Sequence, residues 1–262
     1  MEMLNILDAA LIQLQVYMLE SIRISAIFMT APLLGNRNIP VLVKISFAFL
    51  LGMILYPVLD KNIALPADTL SYAGLIARQV LVGVVIGFAS YILFAAIQLA
   101  GQIIDLQMGF GIVNVIDPMS NTQVSIIGQF QFILGMLIFM AINGHHLLLQ
   151  AVSDSFRLVP INSEGISPAT VNKLTDLFYS MFMIAFKIAG PATLALILTN
   201  VTLGLIARTI PQMNVFIVGL PLNILVGISA VLVSLPILVN LFNSLLSSMW
   251  DDIYYIIKSM RV

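Results

Sequence analysis

Six long apolar runs fill most of this 262-residue chain, which carries only 11 basic and 12 acidic side chains. The runs cover residues 11–34, 41–58, 70–106, 124–156, 171–206 and 215 to about 257. Charged residues make up 9% of the total, where a soluble domain carries about a quarter. Such a chain must set most of its surface against lipid or other apolar protein. Inside a bilayer each backbone N–H and C=O needs an internal partner, and a helix supplies one for every residue. The expected fold class is therefore all-α, a polytopic membrane protein of about six long, kinked helices. No polar stretch exceeds roughly a dozen residues, too few for a soluble domain.

Several function classes fall away on composition. A net charge of −1 creates no field that would draw nucleic acid. The absence of cysteine excludes disulfides, thiolate metal sites and a cysteine nucleophile. The first eight residues lack the basic region of a cleaved signal peptide, so the first run is expected to remain in the mature chain.

The runs are irregular. The third would form a helix roughly 55 Å long, beyond a hydrocarbon core of about 30 Å. It must tilt, bend or project, and the fourth is also overlong. Gly190 and Pro191 interrupt the fifth, and Pro221 and Pro236 lie inside the sixth. Each such proline frees a carbonyl that a neighbour has to satisfy. Charge topology is contradictory. Acidic residues before the first run, with Arg37 and Lys44 after it, favour an outside N-terminus. Six spans would then put Arg157, Lys173, Lys258 and Arg261 outside as well. Either a span is miscounted or the helices do not sit in the bilayer independently.

Polar residues within the runs form three groups. Glu20 and Arg23, spaced i and i+3, can pair on one helix face. Tyr91, Gln98, Gln102 and Asp105 fall on one stripe of the third helix, which faces other helices or a water-filled channel. His145 and His146, followed by Gln150 and Asp154, suggest interfacial hydrogen bonding before a metal site or proton relay. Two adjacent histidines diverge around a helix, and no nucleophile–base set accompanies them.

The sharpest feature is the break at 107–121. It runs through Gln107, Met108, Gly109, Phe110, Gly111, Ile112, Val113 and Asn114 to the turn at Asp117–Pro118. An ordinary connection is polar, and this one is largely apolar. An apolar loop in a membrane protein buries itself in protein or blocks a lumen. Read from the residues alone, it remains either a connection or a plug.

Four fragments, in order along the chain, resemble the FliR/SctT family of type III secretion export-gate proteins. The first is Arg23-Ile24-Ser25-Ala26-Ile27-Phe28 with Ala31-Pro32 and Ile39-Pro40. The second runs from Gly101 through Gln102-Ile103-Ile104-Asp105-Leu106-Gln107-Met108 to Gly109, then Asp117-Pro118. The third is Phe139 with Asn143-Gly144-His145. The last is Pro211-Gln212-Met213-Asn214-Val215-Phe216 with Gly219 and Pro221. The resemblance covers nearly the whole chain, and the last fragment favours the flagellar branch.

The resemblance implies a non-catalytic subunit of the flagellar export gate, multi-pass in the cytoplasmic membrane at the flagellar basal body. It implies FliP-like and FliQ-like partners, FlhB-like and FlhA-like components nearby, and unfolded export substrates. No cofactor or metal is implied. Residues 1–166 would be a FliP-like region and 167–262 a FliQ-like hairpin. The 107–121 loop would be a pore plug, and Glu20, Arg23, Gln98, Gln102 and Asp105 would serve buried or assembly contacts. The turn holding Arg208, Pro211, Gln212 and Asn214 would face the cytoplasm. The rival reading is a secondary transporter of a small solute, which broken helices around polar residues also suit. That reading requires inverted repeats, and none is evident.

Overall fold

The computed structural model describes residues 2–36, 38–58, 65–66, 68–111, 125–163 and 166–260. Every regular element among them is helical: α1 Glu2–Thr30, α2 Val41–Leu55, α3 Thr69–Met108, α4 Ile126–Ala141, α5 Gly144–Leu158, α6 Pro168–Thr209 and α7 Val215–Ser259. A short 3₁₀ turn, Tyr56–Val58, follows α2. The chain is thus an all-α, polytopic membrane protein. Among the described residues four helices are long and apolar enough to cross a membrane, and α4 with α5 provides a fifth if the pair is one broken span. The expected count of about six is corrected here, because α2 has only 15 residues.

The helix boundaries have local causes. Asp68 accepts a hydrogen bond from Ser71 N at 3.2 Å, capping the start of α3. Ser167 accepts from Thr170 N at 3.2 Å, and Pro168 takes the first helical position of α6, where an N–H is not needed. The fourth apolar run does not stay one helix. Asn143 adopts φ 60°, a left-handed conformation that asparagine tolerates, and the backbone restarts as α5. Helices α6 and α7 continue through Pro191, Pro221 and Pro236, and α3, α6 and α7 reach 40, 42 and 45 residues.

The chain forms two compact units. One comprises Met1–Ile92, Asn143–Leu177 and Ser247–Val262, the other Leu93–Ile142 and Phe178–Leu246. In the first, α1 packs on α2 through stacked Phe28 and Phe47, 5.4 Å between centroids, and through Tyr17, which donates to Phe49 O at 2.8 Å. Helix α3 meets α1 through Gly83 and Gly87. A Cβ on Gly83 would lie 2.6 Å from Arg23 O, and one on Gly87 2.7 Å from Ile27 O. Small residues four apart let backbones approach to this distance, the usual device of helix pairs in lipid.

The second unit has an aromatic centre. Phe94 is fully buried and meets Phe132, Phe139 and Phe242 edge-on at 5.8, 5.5 and 5.8 Å. Each such pair contributes about 0.5–1.5 kcal/mol beyond simple burial. Gly101 and Gly128 touch backbone to backbone, leaving no room for a side chain on either.

Candidate functional site

Two polar nodes and one helix terminus carry the residues singled out above. In the first unit, Arg23 is wholly buried. Its Nε donates to Gln79 Oε1 at 2.7 Å, and Nη1 donates to Ser155 O and Val159 O, both at 2.9 Å. The guanidinium carbon lies 4.5 Å above the Phe156 ring. Gln79 is fixed in turn by donating to Ile161 O at 3.0 Å. The expected pairing of Arg23 with Glu20 is corrected: no ion pair between them forms among the described residues, although Glu20 is also buried. Both Glu20 carboxylate oxygens and Arg23 Nη2 lack a hydrogen-bond partner among the described residues. The physical reason is the C-terminal end of α5. Carbonyls at a helix C-terminus carry partial negative charge and so attract a cation: Val159 O lies beyond the last turn, and Ser155 O accepts Arg23 beside its bond from Val159 N. The Tyr56 phenol, outside the spanning helices, is pushed above its ordinary value by burial and then by the Glu20 carboxylate.

In the second unit Asp105 is buried and binds the start of α4. Ser125 Oγ donates to Asp105 Oδ2 at 2.5 Å, and Ile127 N approaches the two carboxylate oxygens at 3.3 and 3.2 Å. Ser125 is itself the N-cap of α4, accepting from Gly128 N at 2.8 Å. An anion thus sits on a helix N-terminus, where free N–H groups and the helix dipole favour it. Of the other residues on the expected stripe, Gln98 and Tyr91 are half-buried and Gln102 is exposed.

The same Asp105 ends α3. Phe110 N donates to Asp105 O at 3.1 Å and Gly109 N to Leu106 O at 3.2 Å, while Gly109 has φ 89°. This is a Schellman termination, and the left-handed residue at its centre strongly favours glycine. Gln107 and Met108 belong to the last turn of α3 and not to the loop, a correction to the expected boundary at 107. Met108 is fully buried, and Gly109, Phe110 and Gly111 are half-buried in the turn beyond. Ile112, Val113, Asn114, Asp117 and Pro118 lie outside the described residues. The structure therefore gives the base of the 107–121 segment: one carboxylate ties the last turn of α3 to the first turn of α4.

The remaining candidates are dispersed. Arg208 closes α6, and Pro211 and Gln212 form an exposed turn. Asn214 Oδ1 accepts from Phe216 N at 3.1 Å, opening α7. His145 is half-buried and His146 exposed, their rings 4.4 Å apart. Among the described residues no group of three or more His, Cys, Asp or Glu could hold a metal ion. Gln79, Ser125, Gly83 and Gly87 escaped the sequence reading. Ser125 before an apolar run is an N-cap signal and Gly83–Gly87 a close-packing signal. Nothing local marks Gln79.

A helical, polytopic chain that seats buried Arg23 and Asp105 on helix ends, with no metal-ligand group among the described residues, is a helical membrane protein in form. The family model for "Bacterial export proteins, family 1" matches residues 14–249. The chain is 40% identical to the flagellar biosynthetic protein FliR of Bacillus subtilis (strain 168), over 85% of this chain and 86% of that one. It is 30% identical to the FliR of Escherichia coli (strain K12), over 94% of each. The FliR of Aquifex aeolicus (strain VF5) is 28% identical over 93% of this chain and 94% of its own. The chain belongs to the FliR family of bacterial export proteins.

Proposed function

We propose that this chain is a non-catalytic subunit of the flagellar type III export gate, and that it forms part of the channel through which unfolded flagellar proteins leave the cell. It sits in the cytoplasmic membrane at the flagellar basal body, with FliP-like and FliQ-like subunits as direct partners and FlhB-like and FlhA-like components beside it. Family membership supports the role. The single structural observation that carries it is the incomplete covering of the last two helices. In the most apolar stretch of α3, 67% of residues are buried, against 28% in α6 and 17% in α7. Helices of 42 and 45 residues, roughly 63–68 Å long, also overrun a hydrocarbon core of about 30 Å. Faces that long and that bare suit neighbouring subunits better than lipid alone.

The reading assigns residues 1–166 to a FliP-like region and 167–262 to a FliQ-like hairpin. The segment beyond α3, from 109 to 121, acts as the plug of the closed channel. Its apolar side chains exclude water and ions, and its glycines let it yield to a substrate. The turn holding Arg208, Pro211, Gln212 and Asn214 faces the cytoplasm. Deleting residues 109–113 in cells expressing the whole gate tests the plug. The closed gate is expected to leak ions and small solutes while its assembly is unchanged. Unchanged permeability in an assembled complex would reduce the segment to a connection.

A further inference from the structure

Gly227 lies on α7 between Pro221 and Pro236, in a stretch whose polar side chains are Asn223, Ser229 and Ser234. It is buried, and what it faces is the side chain of Met108. A Cβ on Gly227 would lie 2.5 Å from Met108 Cγ, 2.7 Å from Sδ and 2.9 Å from Cε. Any side chain at 227 would therefore expel Met108. Met108 is fully buried and is the last residue of α3, next to the left-handed Gly109. Methionine suits such a notch, being unbranched, flexible and polarizable.

The contact differs in kind from the other tight glycine contact of this unit. Gly101 meets backbone atoms of Gly128, so a substitution there pushes two helices apart. At Gly227 the obstructing atoms are the far end of a flexible side chain. A substitution there can be absorbed by moving that side chain, leaving both backbones in place. The neighbourhood of α7 is weakened on either side, since neither proline donates to its preceding turn.

We infer that Gly227 is a positioning residue for export: the notch it leaves in α7 seats Met108 and fixes the end of α3, and with it the base of the segment that follows. The inference rests on the proposed role of that segment. A displacement of α7 would be felt at the end of α3 through this seat, and an unseated Met108 would free that end while Asp105 still holds it to α4.

The test is size exchange in cells that express the complete gate. Gly227→Val should assemble in normal amounts, yet export less substrate and leak more. Adding Met108→Ala empties the seat for the valine and should restore export and tightness. A purely structural role would lower the amount of complex in step with export. That result, normal behaviour of Gly227→Val, or failure of Met108→Ala to restore function overturns the inference. Comparison with the 109–113 deletion separates it from the plug reading. A leak in the deletion with normal Gly227→Val sinks the seat and keeps the plug. A tight deletion, with Gly227→Val defective and restored by Met108→Ala, sinks the plug and keeps the seat.

Discussion

The two units solve one problem with opposite charges. In the first, the cation Arg23 is taken up by the carbonyl end of α5. In the second, the anion Asp105 is taken up by the amide end of α4. Among the described residues neither is hydrogen-bonded to an oppositely charged side chain. Among the described residues the ion pair that does form, Lys173 with Asp252 at 2.6 Å, has partly exposed side chains. A helix end is a partner that the fold supplies anyway, whereas a second buried charge would need its own desolvation. A membrane subunit can thus hold ionised groups in its interior while keeping its charged residues few. Arg23 reaches a terminus 132 and 136 residues away in sequence, whereas Asp105 joins α3 to the helix that follows it, 20 to 22 residues on.

The largest test of this comparison is Arg23→Ala. It leaves Gln79 Oε1 and Val159 O without the Arg23 donor and removes a second donor from Ser155 O, which keeps Val159 N; the expected loss is about 1–3 kcal/mol for each of the two stranded acceptors. The measurement is yield and melting temperature of the purified complex. Adding Glu20→Gln leaves Gln79 Oε1 and Val159 O unsatisfied, so recovery should stay incomplete. Full recovery would show that charge pairing holds Arg23.

Asp105→Ala comes next. It strands the Ile127 N–H and the Ser125 hydroxyl, at an expected cost of about 1.5–3 kcal/mol. Asp105→Asn keeps an acceptor and loses the charge on the helix end, for about 1 kcal/mol. Equal melting temperatures for Asp105→Asn and the parent would reduce the node to neutral hydrogen bonding. Lys173→Ala is the smallest, at about 0.2–1 kcal/mol, because water screens a pair whose side chains are 24% and 27% exposed. A larger shift in a thermal melt would put pairing on a level with the helix ends and break the contrast.

Much of this architecture is written in local pattern. The apolar runs locate the helices to within a few residues at most ends, and the Gly109 region is visible as a terminus because glycine there has a local cause. The Asn143–Gly144 pair was also visible, yet a continuous apolar run on both sides hid that it divides two helices. The partners of Arg23 could not be read. Gln79, Ser155 and Val159 lie 56, 132 and 136 residues away, and no spacing rule reaches that far. Glu20, three residues off, was the obvious local partner, but the α5 carbonyls offered an acceptor that composition cannot reveal. Gly227 was invisible for the same reason: its meaning lies in the methionine opposite.

The first unit is built from the beginning, the middle and the end of the chain. That places a clock on its completion. A ribosome makes about 5–20 residues per second, so on the order of ten seconds or more separates residue 92 from residue 247. Throughout that interval the early helices lack the C-terminal stretch where Asp252 meets Lys173 and Ser259 meets Thr170. Until residues 247–262 are made, the first unit lacks one of its three parts.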